Sequence, residues 1–543
     1  MYACTVVTAL YKVSSKFSIE YYLEWAKHFF MLDCPIVVFT TEEIANILQS
    51  IRGKKPLECI LCPFEDLYMW KMYQNEWKEH HGLDREQFHH SPELYCIWAQ
   101  KSVFVEEATK RNPFETKYFY WCDIGAFRTS PSDVMCREFP IVSRFPKGKI
   151  LLSSVSDATE DDFETKDGII GDFFYKDRIV GGLWGGETSA CVKWRYAYEE
   201  SLIQYFLRKR FAGKDQSVML SAYFHNPSFA EIVKPTTTDI DIWFFAQHLL
   251  SDKSIPYEID ASYMTTKEKG PIVTVSIMGG LGNQMFQIAS AYAHAKYHGG
   301  ILQLLRTKKE PDGRGMYWNS VLFRWQHCIV DSIPNALPTW SEANSTQYIA
   351  LPPLQNDGLY MKGYFQSSKY FRNNQIKQEI RQLMRPEPAI LQSVKKKYDF
   401  LFEAKDRVVV VHARRTDYLK SDWNIAFHGP LSIEYYTKAT ELLSKKIDKP
   451  IFLLCSDDSE YWYQTLPKIK VLQDNQIHIL DEDEIHTLAL LQQFSHFILA
   501  NSTFSWWSAW LADAKYVLAP KKWFGPSGPN YYEDIYEDGW ERI

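Results

Sequence analysis

The sequence has no long run of basic residues, and no apolar run reaches the roughly 18 residues of a membrane span. Its 61 lysines and arginines are outnumbered by 67 aspartates and glutamates, which gives a formal charge of -6. A surface that neutralises a phosphate backbone is not expected, so nucleic acid is excluded as the expected partner. The N-terminus shows no basic segment followed by an apolar signal stretch, and we expect a cytoplasmic protein without a transmembrane segment.

Cysteine is present but follows no pattern. The ten cysteines are scattered, without the paired spacing of a metal site or a disulfide framework, so we interpret them as reduced thiols. Aromatic residues are abundant, with 18 Trp, 33 Tyr and 33 Phe. Such rings fill cores and also provide flat apolar platforms for sugar faces; Trp506 and Trp507 are predicted to lie in the core.

The hydrophobic pattern predicts an α/β protein with more than one domain. Short β-branched runs, such as residues 4–9 and 36–40, alternate with longer amphipathic stretches. The alternation restarts after a polar segment, residues 262–271, that ends in Gly-Pro. We therefore predict domains at residues 1–262 and 271–543, the second with lobes at about 271–400 and 405–543.

A glycine-rich turn follows the first predicted strand of the C-terminal half. Residues 272–277 run into GGLGNQMFQIA, residues 279–289, before a helical stretch at 290–297. Such a turn brings backbone N–H groups and a helix N-terminus close to a phosphate or a polar sugar. The alternative is that the glycines only form a tight turn. The binding candidates here are Gly280, Gly282, Asn283 and Gln284.

Two adjacent arginines mark the end of the next predicted buried strand, residues 408–411, where HARRTDY begins. Open α/β sheets bind ligands at such strand ends, and a guanidinium can grip a diphosphate through two hydrogen bonds. A fixed cation also stabilises the charge that builds on a departing diphosphate, which makes Arg414 a catalytic as well as a binding candidate. His412 and Arg415 are further binding candidates. Asp417 is a candidate catalytic base, with a structural ion pair to an arginine, Arg415, as the alternative.

Two later strand ends follow the same logic. Residues 451–454 lead into CSDD, and residues 497–499 lead into ANSTFSWWSAW. The carboxylates of Asp457 and Asp458 can accept hydrogen bonds from a guanine base or a ribose, or can serve as a helix cap and a solvated charge. The binding candidates at the second strand end, where a helix is expected to begin, are Asn501, Ser502, Thr503 and Ser505.

Together, GGLGNQMFQIA, HARRTDY, CSDD and NSTFSWWSAW resemble the α1,2-fucosyltransferase family, glycosyltransferase family eleven, over essentially all of residues 271–543. The resemblance implies a GT-B-like pair of Rossmann-type lobes, GDP-fucose as donor, inversion at the anomeric carbon and no metal. It also implies that Arg414 holds the diphosphate, that His412 and Asp457 contact the nucleotide, and that residues 503–505 line the phosphate pocket. Thr416, where the family usually has glycine, is similar to the α1,6-fucosyltransferases.

The N-terminal half has one acidic strand end. Predicted strand 117–122 is followed by Asp123, with Gly125 two positions later. An acid there can bind a divalent cation such as Mn²⁺ that bridges a sugar-nucleotide diphosphate, so Asp123 is the metal candidate. Gly125 stands where an Asp-x-Asp pattern has its second acid, and the alternative is a capping aspartate.

Two further segments of this half are VGGLWGGE, residues 180–187, and KDQS, residues 214–217. A glycine bend lets the backbone approach a sugar, and Asp215, at a predicted helix start, is the catalytic candidate of this half. In series with Lys101, Trp121, Asp123 and Gly125, these segments resemble the bacterial HtrL/YibB family over roughly residues 2–245. The resemblance implies a GT-A-like single Rossmann-type domain and a sugar-transfer reaction.

The two motif sets predict a bifunctional glycosyltransferase. One domain transfers fucose from GDP-fucose without a cofactor, and the other transfers a second sugar from a nucleotide sugar. The expected partners are these donors and an oligosaccharide or glycoconjugate acceptor, with at most peripheral membrane association through a lipid-linked acceptor. The alternative is a single-activity fucosyltransferase whose N-terminal half is a non-catalytic glycan-binding module. An oxidoreductase is excluded because the glycine turn does not fit Gly-x-Gly-x-x-Gly.

Overall fold

The computed structural model describes residues 2–166, 169–170, 176–264, 270–307, 315–334, 336–458 and 460–543. It contains two compact units, Met1–Glu268 and Lys269–Ile543. Both units are α/β, as the alternation of the sequence predicts. All ten cysteines are free thiols. Among the described residues, we find no helix with the length and apolarity to span a bilayer.

The first unit is built around one mixed sheet. Its strands are β1 (Cys4–Leu10), β2 (Ile36–Thr40), β3 (Leu57–Leu61), β4 (Tyr118–Cys122), β5 (Ile150–Ser153), β6 (Thr165–Lys166), β7 (Ile169–Ile170), β8 (Leu183–Glu187), β9 (Ala230–Pro235) and β10 (Tyr257–Ile259). Its helices are α1 (Ile19–Phe29), α2 (Glu42–Arg52), α3 (Tyr68–His81), α4 (Pro92–Arg111), α5 (Asp133–Glu138), α6 (Thr188–Leu207), α7 (Asp215–His225) and α8 (Phe245–Leu249).

Eight of these strands pair in the order β10-β9-β5-β8-β4-β1-β2-β3. β1 to β4 are mutually parallel, whereas β8 runs antiparallel to both of its neighbours, β4 and β5. β2 is buried along its whole length, and its sequence, IVVFT, is almost entirely apolar. Such a run is typical of a strand in a sheet whose two faces are both covered by helices. The carboxyl ends of β1 and β4 therefore share one edge, where the predicted Asp123 lies.

The boundary of the first unit differs from the predicted one. The side chain of Tyr263 is fully buried, and its hydroxyl donates hydrogen bonds to the carbonyl oxygens of Ser156 and Arg178. The unit therefore extends beyond residue 262, because this ring closes part of its core.

The second unit has more and shorter elements. Its strands are β11 (Ile272–Val275), β12 (Ile301–Leu302), β13 (Leu304–Leu305), β14 (Ile329–Val330), β15 (Thr339–Ser341), β16 (Leu359–Lys362), β17 (Val408–Ala413), β18 (Ile451–Ser456), β19 (Gln476–Ile479), β20 (His496–Ile498), β21 (Tyr516–Ala519) and β22 (Glu541–Arg542). Its helices are α9 (Leu281–Tyr297), α10 (Asn374–Leu383), α11 (Pro388–Lys397), α12 (Asp399–Glu403), α13 (Asp422–His428), α14 (Ile433–Ser444), α15 (Tyr461–Thr465), α16 (Lys470–Gln473), α17 (Glu484–Leu491) and α18 (Thr503–Leu511).

Two separate parallel sheets divide this unit into lobes. The first has the order β12-β11-β16-β15 and the second the order β19-β18-β17-β20-β21-β22. Alternate residues of β17 enter opposite cores: Val408 and Val410 pack on one face, Val409 and Val411 on the other. Val394 and Leu401 already belong to the first of these cores, so the second lobe includes α11 and α12 and begins earlier than the predicted residue 405.

The glycine-rich motif also differs from its prediction in one respect. The helix begins at Leu281 and not near residue 290, so most of GGLGNQMFQIA forms the first turns of α9. Gly279 adopts a left-handed backbone with φ of 79°, which suits glycine, and Gly280 is the N-cap residue. The turn therefore serves to start a helix immediately after a buried strand.

Candidate active sites

The predicted site residues of the second unit, apart from those at the start of α9, gather at the carboxyl ends of β17, β18 and β20. These strands are parallel neighbours, with Ala413 opposite Ser456 and Val411 opposite Ile498. Arg414 and Asp457 therefore follow directly in adjacent strands, and α18 begins just beyond β20. Parallel sheets bring polar side chains from distant parts of the chain to one edge in this way.

Arg414 is held by two carboxylates. Its Nε and Nη2 each lie 2.9 Å from an oxygen of Asp417, and its Nε lies 3.3 Å from Asp457 Oδ2. Burial alone would lower the pKa of Arg414, but hydrogen bonding to Asp417 and the charge of Asp457 raise it on balance. Nη1 makes no hydrogen bond within the described part of the chain, so the oriented guanidinium of Arg414 keeps N–H donors for a ligand.

Asp417 and Asp457 both position the HARRTDY turn. Both oxygens of Asp417 accept from Arg414. Asp417 therefore forms a structural ion pair, the alternative to a base, but its partner is Arg414 and not Arg415. Asp457 Oδ1 accepts from the backbone N–H of Arg415 at 2.7 Å, and its Oδ2 accepts from the N–H and hydroxyl of Thr416. Asp457 therefore fixes the loop that carries the arginines.

The side chains of Arg415 and His412 differ from that of Arg414 in having no carboxylate partner within the described residues. The Arg415 guanidinium lies over the Tyr461 ring, 4.5 Å from its centre, and its buried Nε has no hydrogen-bond partner. His412 is buried beside Phe504, and burial lowers the pKa of His412 to about 4, so its ring is neutral. Its Nδ1 is buried without a partner, which leaves a polar atom for a ligand or a water.

Asp458 is bound within its own loop. Its backbone N–H donates to Ser456 Oγ, and its Oδ1 accepts from the N–H of Glu460. These contacts match the capping role that the sequence left open, and they occupy part of the carboxylate proposed for a base or ribose.

The start of α9 meets the start of α18 across 220 residues of sequence. Thr503 Oγ1 donates to Asn283 Oδ1 at 3.1 Å, and Gln366 Nε2 donates to the same oxygen at 2.9 Å. Gly282 permits this contact, because a Cβ there would lie 2.6 Å from the Thr503 carbonyl carbon. The two helix N-termini therefore face a common region, where orphan N–H groups favour an anion.

Several other predicted binding residues are engaged in structural contacts. Gln284 is fully buried and donates to the carbonyl oxygens of Gly279 and Gly315. Asn501 donates to three backbone carbonyl oxygens, including that of Trp523 at 3.0 Å. Ser502 caps α18, and the Ser505 hydroxyl donates to backbone carbonyl oxygens. These four residues shape the site, while Asn283 and Thr503 are more accessible.

In the first unit, a buried lysine joins the two predicted acids. Lys101, from the middle of α4, places its Nζ 2.8 Å from Asp215 Oδ2, 3.1 Å from Asp123 Oδ1 and 3.2 Å from the carbonyl oxygen of Gly181. Burial opposes its charge, but Asp123 and Asp215 raise the pKa of Lys101 on balance. Side-chain exposure is 6% for Lys101 and 9% for Asp215 but 42% for Asp123, so Asp123 is the member that reaches solvent.

Close packing surrounds this cluster. Trp121 Nε1 donates to Asp123 Oδ1 at 2.7 Å. A Cβ at Gly182 would lie 2.6 Å from Asp123 Oδ2, and one at Gly181 would lie 2.8 Å from Asp215 Oδ1. The glycine bend predicted to approach a sugar therefore also allows the backbone to pass over both carboxylates.

The cluster opens into a cleft of about 1220 Å³. Aromatic side chains form much of its wall: Tyr11, Phe17, Tyr22, Trp25, Trp98 and Trp243. The Arg128 guanidinium also lines it, 5.0 Å from the centre of the Trp25 ring. Concave sites of this size with a few convergent polar groups are typical ligand sites.

Sequence reasoning missed two members of this cleft. Asp84 Oδ2 lies 2.8 Å from His90 Nδ1 and accepts a hydrogen bond of 2.6 Å from the Tyr95 hydroxyl. An Asp–His pair in a cleft is able to move a proton. Neither residue follows a predicted strand or starts a helix, so no local pattern distinguished them.

Comparison with known families matches each half separately. Residues 341–543 match the model of Glycosyl transferase family 11, and residues 5–246 match the model described as Bacterial protein of unknown function (HtrL_YibB). Both resemblances stated from the motifs are thereby confirmed. The family 11 match begins after GGLGNQMFQIA, so it rests on the second lobe and the end of the first.

Two curated relatives from Escherichia coli are similar to part of the chain. An alpha-1,2-colitosyltransferase is 27% identical over 292 residues, which cover 50% of this chain and 99% of the relative. The O-antigen biosynthesis glycosyltransferase WbnK is 32% identical over 119 residues, 21% of this chain and 38% of the relative. Together with the family match, they confirm the prediction that the chain is a glycosyltransferase.

Solved structures also show distant likenesses. POFUT1 in complex with GDP has a TM-score of 0.29 and 14% identity, covering 46% of this chain and 96% of that one. Fucosyltransferase NodZ from Bradyrhizobium has a TM-score of 0.30 and 14% identity, covering 44% and 92%. At these TM-scores the likenesses support no inference about this chain.

Proposed function

We propose that the chain is a bifunctional glycosyltransferase whose C-terminal unit transfers fucose from GDP-fucose to a galactose hydroxyl, with α1,2 linkage and inversion. The observation that carries this proposal is Arg414, an oriented guanidinium with an uncommitted Nη1 at the end of a central parallel strand. Charge developing on the departing diphosphate meets a cation that needs no reorganisation. The converging N-termini of α9 and α18 add N–H groups of the same polarity.

Two further features support the proposed fold and the proposed independence of a metal. The two parallel sheets with flanking helices suit a GT-B-like fold, in which the donor lies between lobes. Arg414 and Arg415 supply two positive charges at one strand end, so we propose that this unit needs no divalent metal. We place the reaction in the cytoplasm.

The donor sugar has one specific alternative. The colitosyltransferase that is similar to this chain carries a different sugar in its name while sharing the α1,2 linkage. Colitose is fucose without its 3-hydroxyl group, so both sugars fit a pocket built for a deoxyhexose. A site that hydrogen-bonds the 3-hydroxyl group rejects colitose strongly, whereas an apolar pocket discriminates weakly.

A donor comparison tests this part of the proposal. The full chain is incubated with radiolabelled GDP-fucose or GDP-colitose and a panel of β-galactosides, with and without EDTA, and Arg414→Ala serves as the inactive control. We expect transfer of fucose, resistant to EDTA and absent in the variant. The fucosyl assignment is wrong if GDP-fucose is neither hydrolysed nor used for transfer. If the chain uses GDP-colitose in preference to GDP-fucose, colitose replaces fucose as the proposed donor sugar.

For the N-terminal unit, we propose a GT-A-like domain that transfers a second sugar from a nucleotide sugar to the same glycan. The central β4, flanked by parallel β1 and antiparallel β8, and the Asp123 cluster at its carboxyl end support this proposal. Tethering the two sites raises the effective concentration of the shared intermediate. A screen of UDP- and GDP-sugars in the Arg414→Ala background, with Asp123→Ala as control, identifies the activity.

The aromatic wall of the cleft favours one alternative, a non-catalytic glycan-binding module. Calorimetry distinguishes the two functions. Binding of a nucleotide sugar that is lost in Asp123→Ala supports an enzyme, whereas binding of an oligosaccharide alone, without turnover of any donor, supports the module.

A further inference from the structure

The cluster of Lys101, Asp123 and Asp215 has the carboxylates of a metal site but already contains a cation. An ammonium group has three N–H donors. Lys101 Nζ lies within 3.2 Å of three oxygens, those of Asp123, Asp215 and the Gly181 carbonyl group. It donates hydrogen bonds to Asp123 and to the Gly181 carbonyl oxygen and forms an ion pair with Asp215, so oxygens of the protein surround this ammonium group.

The surroundings do not fit a divalent cation in addition. Mg²⁺ and Ca²⁺ bind oxygens at about 2.0–2.6 Å and need several of them. The point shared by the two carboxylates is occupied by Nζ, 2.8 Å and 3.1 Å from their oxygens. A second acid next to Asp123 is also excluded, since a Cβ at Gly125 would lie 2.9 Å from the Trp25 ring and 3.3 Å from the Tyr22 ring.

We propose that Lys101 is the resident cation of the N-terminal cleft, in the place between Asp123 and Asp215 that a divalent metal would take, so that this unit binds its ligand without metal. Two carboxylates against one ammonium leave a net negative charge, and Asp123 is the exposed member. The group it receives is therefore a hydrogen-bond donor such as a sugar hydroxyl, and not a bare phosphate. Lys101 acts as a positioning residue. The ligand class rests on the proposed sugar-transfer function, whereas the absence of a metal site does not.

The test measures Mn²⁺ binding to the full chain by electron paramagnetic resonance, which needs no substrate. Four variants accompany the unaltered protein: Asp123→Asn, Lys101→Met, Lys101→Met combined with Asp123→Asn, and Lys110→Met. Methionine keeps the length of the lysine stem without its charge. Lys110, exposed on the same helix, is the matched control. Glu482, Asp483 and His486, the acidic cluster of the other unit, contribute equally to all samples.

We expect the unaltered chain, Asp123→Asn and Lys110→Met to bind Mn²⁺ identically. Lys101→Met is expected to bind one additional equivalent of Mn²⁺, with an affinity about tenfold or more above that of the unaltered chain. The reason is that the repelling charge of the lysine is gone and both carboxylates are free to bind the metal. The combined variant should lose this equivalent.

Two results overturn the proposal. One is a Mn²⁺ equivalent in the unaltered chain that disappears in Asp123→Asn. The other is a folded Lys101→Met protein without the additional equivalent. If Lys101→Met does not fold, the comparison of the unaltered chain with Asp123→Asn decides alone. Absence of sugar transfer in the N-terminal unit changes neither readout, so it counts only against the proposed function.

Discussion

Each unit holds one cation between two aspartates at the end of a central strand, but the two clusters differ in what remains available. Lys101 is surrounded by oxygens of Asp123, Asp215 and Gly181, and the cluster keeps one net negative charge. Arg414 contacts Asp417 and Asp457 and retains Nη1, and the guanidinium of Arg415 beside it makes no ion pair within the described residues. The second cluster is therefore neutral and has uncommitted donors.

The difference shows that an Asp–cation–Asp arrangement does not by itself define a function. An ammonium group surrounded by protein oxygens organises the carboxylates next to it, whereas a guanidinium that is fixed by carboxylates but keeps spare N–H groups is ready for an anionic ligand. The first cluster suits a neutral, hydroxyl-rich group, and the second suits a diphosphate.

The largest expected effect is that of Arg414→Ala on fucosyl transfer. Removing a cation aimed at the leaving group should lower kcat by about 10²- to 10³-fold or more, with little change in the melting temperature because the side chain is partly exposed. Steady-state kinetics with GDP-fucose and thermal unfolding measure both. Arg414→Lys should not restore activity, since lysine cannot make the paired contact with Asp417. Turnover near that of the unaltered protein would show that this cation, like Lys101, is only structural.

The next effect concerns stability. Lys101→Met leaves Asp215 buried beside Asp123 without a counter-charge, and we expect the N-terminal unit to lose about 2–3 kcal/mol, less than for a fully buried pair because Asp123 reaches solvent. Lys110→Met, which removes the ion pair of an exposed lysine with Glu106 but leaves Glu106 its contact with Arg195, should cost about 0–1 kcal/mol. Hydrogen exchange of α4 and β4 measures this unit separately. Equal losses in the two variants would contradict a structural role for Lys101.

The clusters should also respond differently to pH. Burial lowers the pKa of His412 to about 4, so between pH 6.5 and 4 the unfolded chain binds a proton that the folded chain does not. The stability contribution of neutral His412 is full above pH 6.5 and is lost as pH falls to 4, by roughly 2–3 kcal/mol. Lys101 has a raised pKa and keeps its contribution throughout this range.

Denaturant unfolding of the unaltered chain and His412→Gln at pH 7, 5.5 and 4 tests the pH prediction. The difference in unfolding free energy of the C-terminal unit should shrink as pH falls. A constant difference would mean that His412 is not held neutral.

The smallest expected effect is that of Asp123→Ala on fucosyl transfer. Because its contacts lie within the first unit, kcat with GDP-fucose should stay within about twofold, as expected for sites without shared partners, while activity of the N-terminal cleft is lost. A large fall in fucosyl transfer would show that the two clusters are coupled.

Local patterns predicted much of the second site. HARRTDY and CSDD begin with the last two residues of β17 and β18 and continue into the loops beyond these strands, and the helix start at Thr503 agrees with its Ser502 cap. The role of each residue within these motifs could not be predicted in the same way. Asn501 and Gln284, for example, donate to backbone carbonyl oxygens. The sequence does not show whether the side-chain amide of an asparagine or glutamine faces a ligand or a backbone carbonyl group, and only the packing of the folded chain distinguishes the two.

The sequence by itself determined the α/β class, the strand ends that carry polar residues, and the two-part family resemblance, because these depend on local periodicity and short motifs. Only the tertiary structure decided that Lys101 lies between Asp123 and Asp215, that Asp417 and Asp457 hold Arg414, and that Asn283 meets Thr503. The reason is that ion-pair partners follow from which strands and helices become neighbours, and that order is set by the burial of whole faces and not by adjacent residues.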